Sequence, residues 1–180
     1  AEGKSPRQVM ERNLAQIFPA ASFTEAVASD VERLQRPLRL RALLDIDALA
    51  RSTAGPGLEF AALGHPTSYR KLFAPFSRRE TDLLLGPPWQ VRWQVCYRPP
   101  AGFRAERLPA GGRAGDRHIS AGLRFRRQEA GGLCAEATVT MSGSRVAADS
   151  YRRFRQALAA VDRLLATPVV LRAPGPGAGS

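Results

Sequence analysis

Two cysteines, two histidines and sixteen carboxylates are the side chains with most chemistry to offer in this 180-residue chain. Thiol hydrolysis needs a cysteine, a histidine to take its proton and a third group to orient the imidazole. Cys96 or Cys134 set near His118 would begin such a site. The surroundings argue against it: His65 precedes a proline in GHPTS, His118 follows the glycine-rich AGGRAGDR, and both read as exposed loop residues. Neither cysteine opens a helix, where the dipole would lower its pKa. The expectation is therefore no catalytic residue, with a stand-alone thiol hydrolase as an alternative. Asp45 and Asp47 share a strand face and would suit a cation or an acid–base pair, although a solvated strand end is the plainer reading. Two cysteines do not make a zinc site, and these are too far apart in sequence for a CxxC pair, so no metal site is expected. GPGLEF and AGGRAG lack the P-loop lysine with its hydroxyl neighbour and the full GxGxxG; no cofactor is expected.

The cysteines sit in the two most regular stretches. In WQVRWQVCY, residues Trp89, Val91, Trp93, Val95 and Tyr97 share one face and Gln90, Arg92, Gln94 and Cys96 the other. In LCAEATVTM, Leu133, Ala135, Ala137, Val139 and Met141 alternate with Cys134, Glu136, Thr138 and Thr140. A strict period of two is the signature of strands half buried against a core, so the tryptophans read as core and both thiols fall on polar faces. If the strands are neighbours, Cys96 and Cys134 would bridge in an oxidising compartment; the sequence does not supply the required Cα separation.

Other elements follow from the same periodicities. Residues 5 to 18 read as a helix, with Ser5 as N-cap, Pro6 in the first turn and Val9, Met10, Asn13, Leu14 and Ile17 as its stripe. SFTEAVAS reads as a weak strand with Phe23, Glu25 and Val27 on one side. LRLRALLDI is a clearer strand, with Leu38, Leu40, Ala42, Leu44 and Ile46 against Arg39, Arg41 and Asp45, and LEFAAL is a short one. GHPTSYRKLFAPFSRRE reads as a packed loop, PPAGFRAERLP as a turn and short strand, and AGGRAGDR as a flexible loop. ISAGLRFRRQ and LCAEATVTMSGS form a hairpin joined by EAGG. A helix over about 150 to 166 is the best specified element: Tyr151, Phe154, Leu158, Val161 and Leu165 recur at helical spacing among arginines, and Pro168 ends it. Residues 1 to 4 and 173 to 180 read as flexible tails, leaving 5 to 172 as one domain, an antiparallel β-sandwich with flanking helices.

Composition bounds the class. With 44% hydrophobic and 24% charged residues the chain is an ordinary globule, and no apolar run is long enough to cross a membrane. The opening AEGKSPRQ has no apolar signal region. Of 27 basic residues only Lys4 and Lys71 are lysines, and the formal charge is +11. The arginines are spread along the whole chain, as in a GC-rich genome, so attraction to polyanions is expected at low salt without specific nucleic-acid recognition. Arg39, Arg41, Arg92, Arg98, Arg124 and Arg126, on the polar faces of strands, are the candidates for an anionic partner.

Two stretches carry a resemblance. RETDLLLGPPWQVRWQVCYRPPAGFRAERLP is similar to a passage of large bacterial transglutaminase-like proteins, with a leucine run, a glycine–proline turn, an alternating strand, then P-x-G-[FY] and a closing LP. ADSYRRFRQALAAVDRLLATPVVL resembles the tail of the same proteins, in its Tyr-x-x-Phe-Arg opening and Val-Asp-Arg. The likeness covers residues 78 to 172, and RQVMERNLAQIFP with RPLRLR resembles the section before. In that family a papain-like core is followed by a β-rich C-terminal domain, which is what this chain matches; the catalytic core has no counterpart here. The resemblance implies a non-catalytic accessory domain of a larger exported protein of a Gram-negative bacterium, periplasmic or bound to the cell envelope, supporting the core or docking a protein partner. A basic module for a polyanion, nucleic acid or envelope polymer, is the alternative.

Overall fold

The computed structural model describes residues 8, 11, 12, 14, 15, 21–29, 35–47, 49–63, 68–105, 107–129 and 132–173. The chain is mainly β, with antiparallel sheets joined by helices. It divides into two compact units, Ala1–Leu49 and Ala50–Ser180.

In the first unit, residues 8, 11, 12, 14 and 15 have helical backbone, inside the span read as a helix. Most of that helix's apolar stripe, Val9, Met10, Asn13 and Ile17, lies outside the described residues. Strands β1 (Ala21–Ala28) and β2 (Leu40–Ile46) pair antiparallel. Between Phe23 and Glu25 the register shifts at a bulge, and this corrects the expected face. One extra residue flips the side chains that follow, so Phe23 shares its covered side with Ala26 and Ala28, while Glu25 and Val27 are exposed.

The second unit holds the best-formed core. Its first sheet has the order β6 (Trp89–Tyr97), β10 (Leu133–Met141), β9 (Ile119–Arg127), β8 (Gly112–Gly115). Ile119, Ala121 and Leu123 of β9 and Leu133, Ala135, Ala137, Val139 and Met141 of β10 are all buried on one face, as alternation predicts. Helix α2 (Tyr151–Leu165) lies against β8 and β9 and buries Tyr151, Phe154, Leu158, Val161 and Leu165. Each fully buried apolar side chain of this size contributes roughly 1.5–3 kcal/mol of gross transfer energy, which is why helical spacing alone marked this element.

The second sheet has the order β3 (Arg51–Ser52), β4 (Gly57–Ala61), β12 (Pro168–Arg172), β7 (Arg104–Ala105). Its central strand β12 is the segment just after α2, buried through Val169 and Leu171. The two sheets meet where Phe60 packs on Tyr97 at 4.6 Å and the Tyr97 hydroxyl donates to Ala62 O at 3.0 Å. A two-stranded ladder joins β5 (Leu83–Leu84) to β11 (Arg145–Val146).

Two loop expectations are corrected. The segment SYRKLF contains a one-turn helix, α1 (Tyr69–Phe73). Its N-terminus is capped across the fold: Asp162 of α2 accepts from Tyr69 N at 2.7 Å, Arg70 N at 3.1 Å and Ser68 Oγ at 3.1 Å. Five residues rarely hold a helix alone; here a carboxylate from another element satisfies its orphan donors. The second is AGGRAGDR, in which Gly112–Gly115 form strand β8. A Cβ on Gly111 would stand 2.5 Å from Leu123 O, and one on Gly115, at φ +131°, 2.1 Å from Ile119 O. The glycines let this strand lie close on β9, a role the composition of a flexible loop imitates.

Candidate interaction face

Opposite the helix-covered side, the β6–β10–β9–β8 sheet presents its polar face. Register sets four rows across it: Cys96, Cys134 and Arg126; Gln94, Glu136 and Arg124; Arg92, Thr138, Gly122 and Arg113; Gln90, Thr140, Ser120 and Gly115. Arg92, Arg113, Arg124 and Arg126 are all exposed. Glu136 is the one carboxylate in these rows: Arg124 Nε donates to its Oε2 at 2.6 Å and Arg126 to its Oε1. Four guanidinium groups against one carboxylate leave the face with a surplus of three positive charges. Gln90 Nε2 donates to Thr140 Oγ1 and its Oε1 accepts from Arg92 Nε, both at 3.0 Å. The two arginines are exposed while the Glu136 side chain is only 13% exposed, so the carboxylate is held against the sheet and the guanidinium groups reach solvent.

The expected arginines divide by unit. Arg92, Arg124 and Arg126 stand on this face and Arg98 is exposed just beyond the end of β6; Arg39 and Arg41 belong to the first unit, Arg41 on β2 opposite Val27 and Arg39 just before the strand, its N–H donating to Ser29 Oγ at 3.0 Å. Arg113 was missed, because a four-residue strand containing two glycines shows no alternation to read.

Cys96 and Cys134 face each other across β6 and β10 and form a disulfide, with Cα atoms 4.1 Å apart. Bonded sulfurs offer no thiolate. His118 lies at the far end of the sheet, where its carbonyl accepts from Ser142 N. Cys134 is eight residues back along the strand, roughly 27 Å at about 3.4 Å per residue. His118 is also no exposed loop residue: half buried, it meets Phe154 edge-on at 5.9 Å, and its Nε2 accepts from Arg117 Nε. Asp116 Oδ1 accepts from the backbone of His118 and Ile119 and so shapes the turn into β9. His65 lies outside the described residues. Asp45 and Asp47 are both exposed, the second in a turn beyond β2. Among the described residues no cluster of metal-ligating side chains occurs.

The tryptophans line the apolar side of β6. Trp89 stacks with Tyr69 at 6.1 Å and Phe73 at 6.0 Å, yet Trp89 and Trp93 are only half buried and Val91 is 38% exposed. They form the rim of the core, because β6 is the outermost strand of this sheet among the described residues. Burial, with Asp162 adding to it, pushes the Tyr69 phenol up to about 12; burial raises that of Tyr97 as well. No family model matches this sequence, and neither a curated protein nor a solved structure matches it.

Proposed function

We propose that this chain is a non-catalytic interaction domain of a larger transglutaminase-like protein of the cell envelope, and that it meets an anionic partner on the arginine face of its four-stranded sheet. The observation that carries the reading is the exposure of Arg92, Arg113, Arg124 and Arg126 around a single carboxylate. Guanidinium groups pair bidentately with carboxylate, phosphate or sulfate oxygens, and those on β9 repeat at about 6.8 Å, two residues along a strand. The Cys96–Cys134 bridge supports a site of action in an oxidising compartment, where disulfides persist. The parent protein is supported by the sequence likeness over residues 78 to 172. An independent thiol hydrolase is the weaker reading, since both its candidate nucleophiles are bonded to each other.

Charge reversal tests the face. A chain carrying Arg113→Glu, Arg124→Glu and Arg126→Glu is expected to elute from an immobilised sulfated polysaccharide at clearly lower salt than three reversals of exposed arginines elsewhere, such as Arg78, Arg152 and Arg153. Equal elution of the two variants would mean that retention reflects only the +11 total, and the face would lose its role.

A further inference from the structure

The interaction reading leaves one prominent element unused, the free edge of β6. Nine residues long, β6 ends the sheet, and no strand pairs on its outer side among the described residues. Long bare edges are templates for pairing, and proteins usually blunt them with proline, charge or a bulge. Prolines stand at 87, 88, 99 and 100, outside the strand, and Arg92 is its one charged residue. The strand's ends are closed and its middle is open.

Hydrogen-bond phase shows which groups point outward. Gln128 N donates to Gly132 O and Ser142 N to His118 O, each at 2.8 Å. Residue numbers in the β10–β9 register sum to a constant, so these bonds make the even-numbered residues of β10 the ones bonded to β9. Its odd-numbered residues then bond to β6, opposite Trp89, Val91, Trp93, Val95 and Tyr97. The close approach of Cα96 and Cα134 agrees, since non-bonded pairs are the narrower ones. Gln90, Arg92, Gln94 and Cys96 therefore each aim one N–H and one C=O away from the sheet.

An added antiparallel strand would bond to those four residues. Its bonded residues would put side chains on the polar face beside Arg92, and the residues between them would fall on the apolar side beside Val91, 38% exposed, and Trp93. We infer that β6 takes up an extended peptide segment of alternating apolar and acidic residues by strand addition, the carboxylates meeting Arg92, the charged side chain of the strand they lie beside. Charge decides between this partner and a second copy of the chain: at +11, two copies repel, while an acidic segment is drawn in. This inference rests on the reading of the chain as an interaction domain and names its partner's chemistry.

The test uses the whole oxidised chain and a seven-residue capped peptide of alternating valine and glutamate. Trp89 and Trp93 are the only tryptophans and both lie on β6, so intrinsic fluorescence reports binding. Hydrogen exchange by NMR should show the amides of Gln90, Arg92, Gln94 and Cys96 becoming protected at saturation, at least tenfold, with those of Val91 and Trp93 little changed because β10 already holds them. Gln94→Pro removes one outward N–H and none of the bonds to β10; it should weaken the peptide at least tenfold and leave polysaccharide retention unchanged. That last readout separates failure of the edge from failure of the arginine face. The inference is overturned if the four amides gain no protection at saturating peptide, or if they are already protected without peptide in a concentration-dependent way, as in self-pairing. Equal affinity of a folded Gln94→Pro would overturn it too; if that variant does not fold, the exchange pattern of the unaltered chain decides.

Discussion

Asp162 carries more of the structure than its place in a helix suggests. It accepts from one hydroxyl and two backbone N–H groups at the start of α1, so Asp162→Ala strands three donors. Losing a helix cap costs about 0.5–2 kcal/mol, and leaving donors unpaired adds to this; a loss on the order of 2 kcal/mol is expected in urea denaturation. Asp162→Asn, which keeps one acceptor oxygen, should lose less. The neighbouring Tyr69 makes a pH prediction. Its phenol titrates at about 12, above the ordinary value of 10.0, because burial opposes the charged form. A raised acid stabilises the fold fully below the unfolded value, and that contribution disappears as pH rises from about 10 towards 12. Tyr69→Phe should therefore flatten the loss of stability in that alkaline window, measured as denaturation midpoints at stepped pH; an unchanged alkaline limb would assign it to other groups.

At the scale of elements, β6 pairs with one strand, β10, among the described residues, and is held besides by one covalent tie and by the ring contacts of Trp89 and Tyr97 at its two ends. The Cys96–Cys134 bond closes a loop with a sequence separation of 38, which on chain-entropy grounds is worth about 3–4 kcal/mol. The double change Cys96→Ser and Cys134→Ser should lower stability by up to that amount, with hydrogen exchange speeding up first in β6. A uniform speeding of the whole sheet would show instead that β6 does not open separately. β8 and α1 show how weak local signals are completed by neighbours: the first needs β9 within reach of its glycines, the second a carboxylate from α2.

For the whole molecule, two kinds of electrostatics have to be kept apart. The net charge attracts any polyanion, and this attraction fades as salt shortens the screening length to about 8 Å near physiological strength. A face that places guanidinium groups at strand spacing adds short contacts that resist screening better. The reversal of Arg113, Arg124 and Arg126 accordingly should cost more retention at about 150 mM salt, relative to the dispersed reversals, than at low salt. A gap between the two variants that closes as salt rises would reduce the arginine face to bulk charge.

Much of the architecture was legible in single segments. Period-two alternation marked β6, β9 and β10 with the right faces, and 3-4 spacing marked α2 to within a residue or so, because burial on one side leaves its period in the chain. The thiols' polar faces were legible too. What the sequence could not contain was adjacency: that β6 and β10 are neighbours in a register that puts Cys96 on Cys134, that Glu136 stands between two arginines, or that β6 is an edge. β12 went unread because a proline after a helix signals an ending as readily as a new strand, and the β1 bulge because one inserted residue leaves no mark in composition. Local pattern determined which side of each element is wet; only the pairing of elements, set by long-range packing and backbone hydrogen bonding, decided which side chains meet and which backbone groups remain open to a partner.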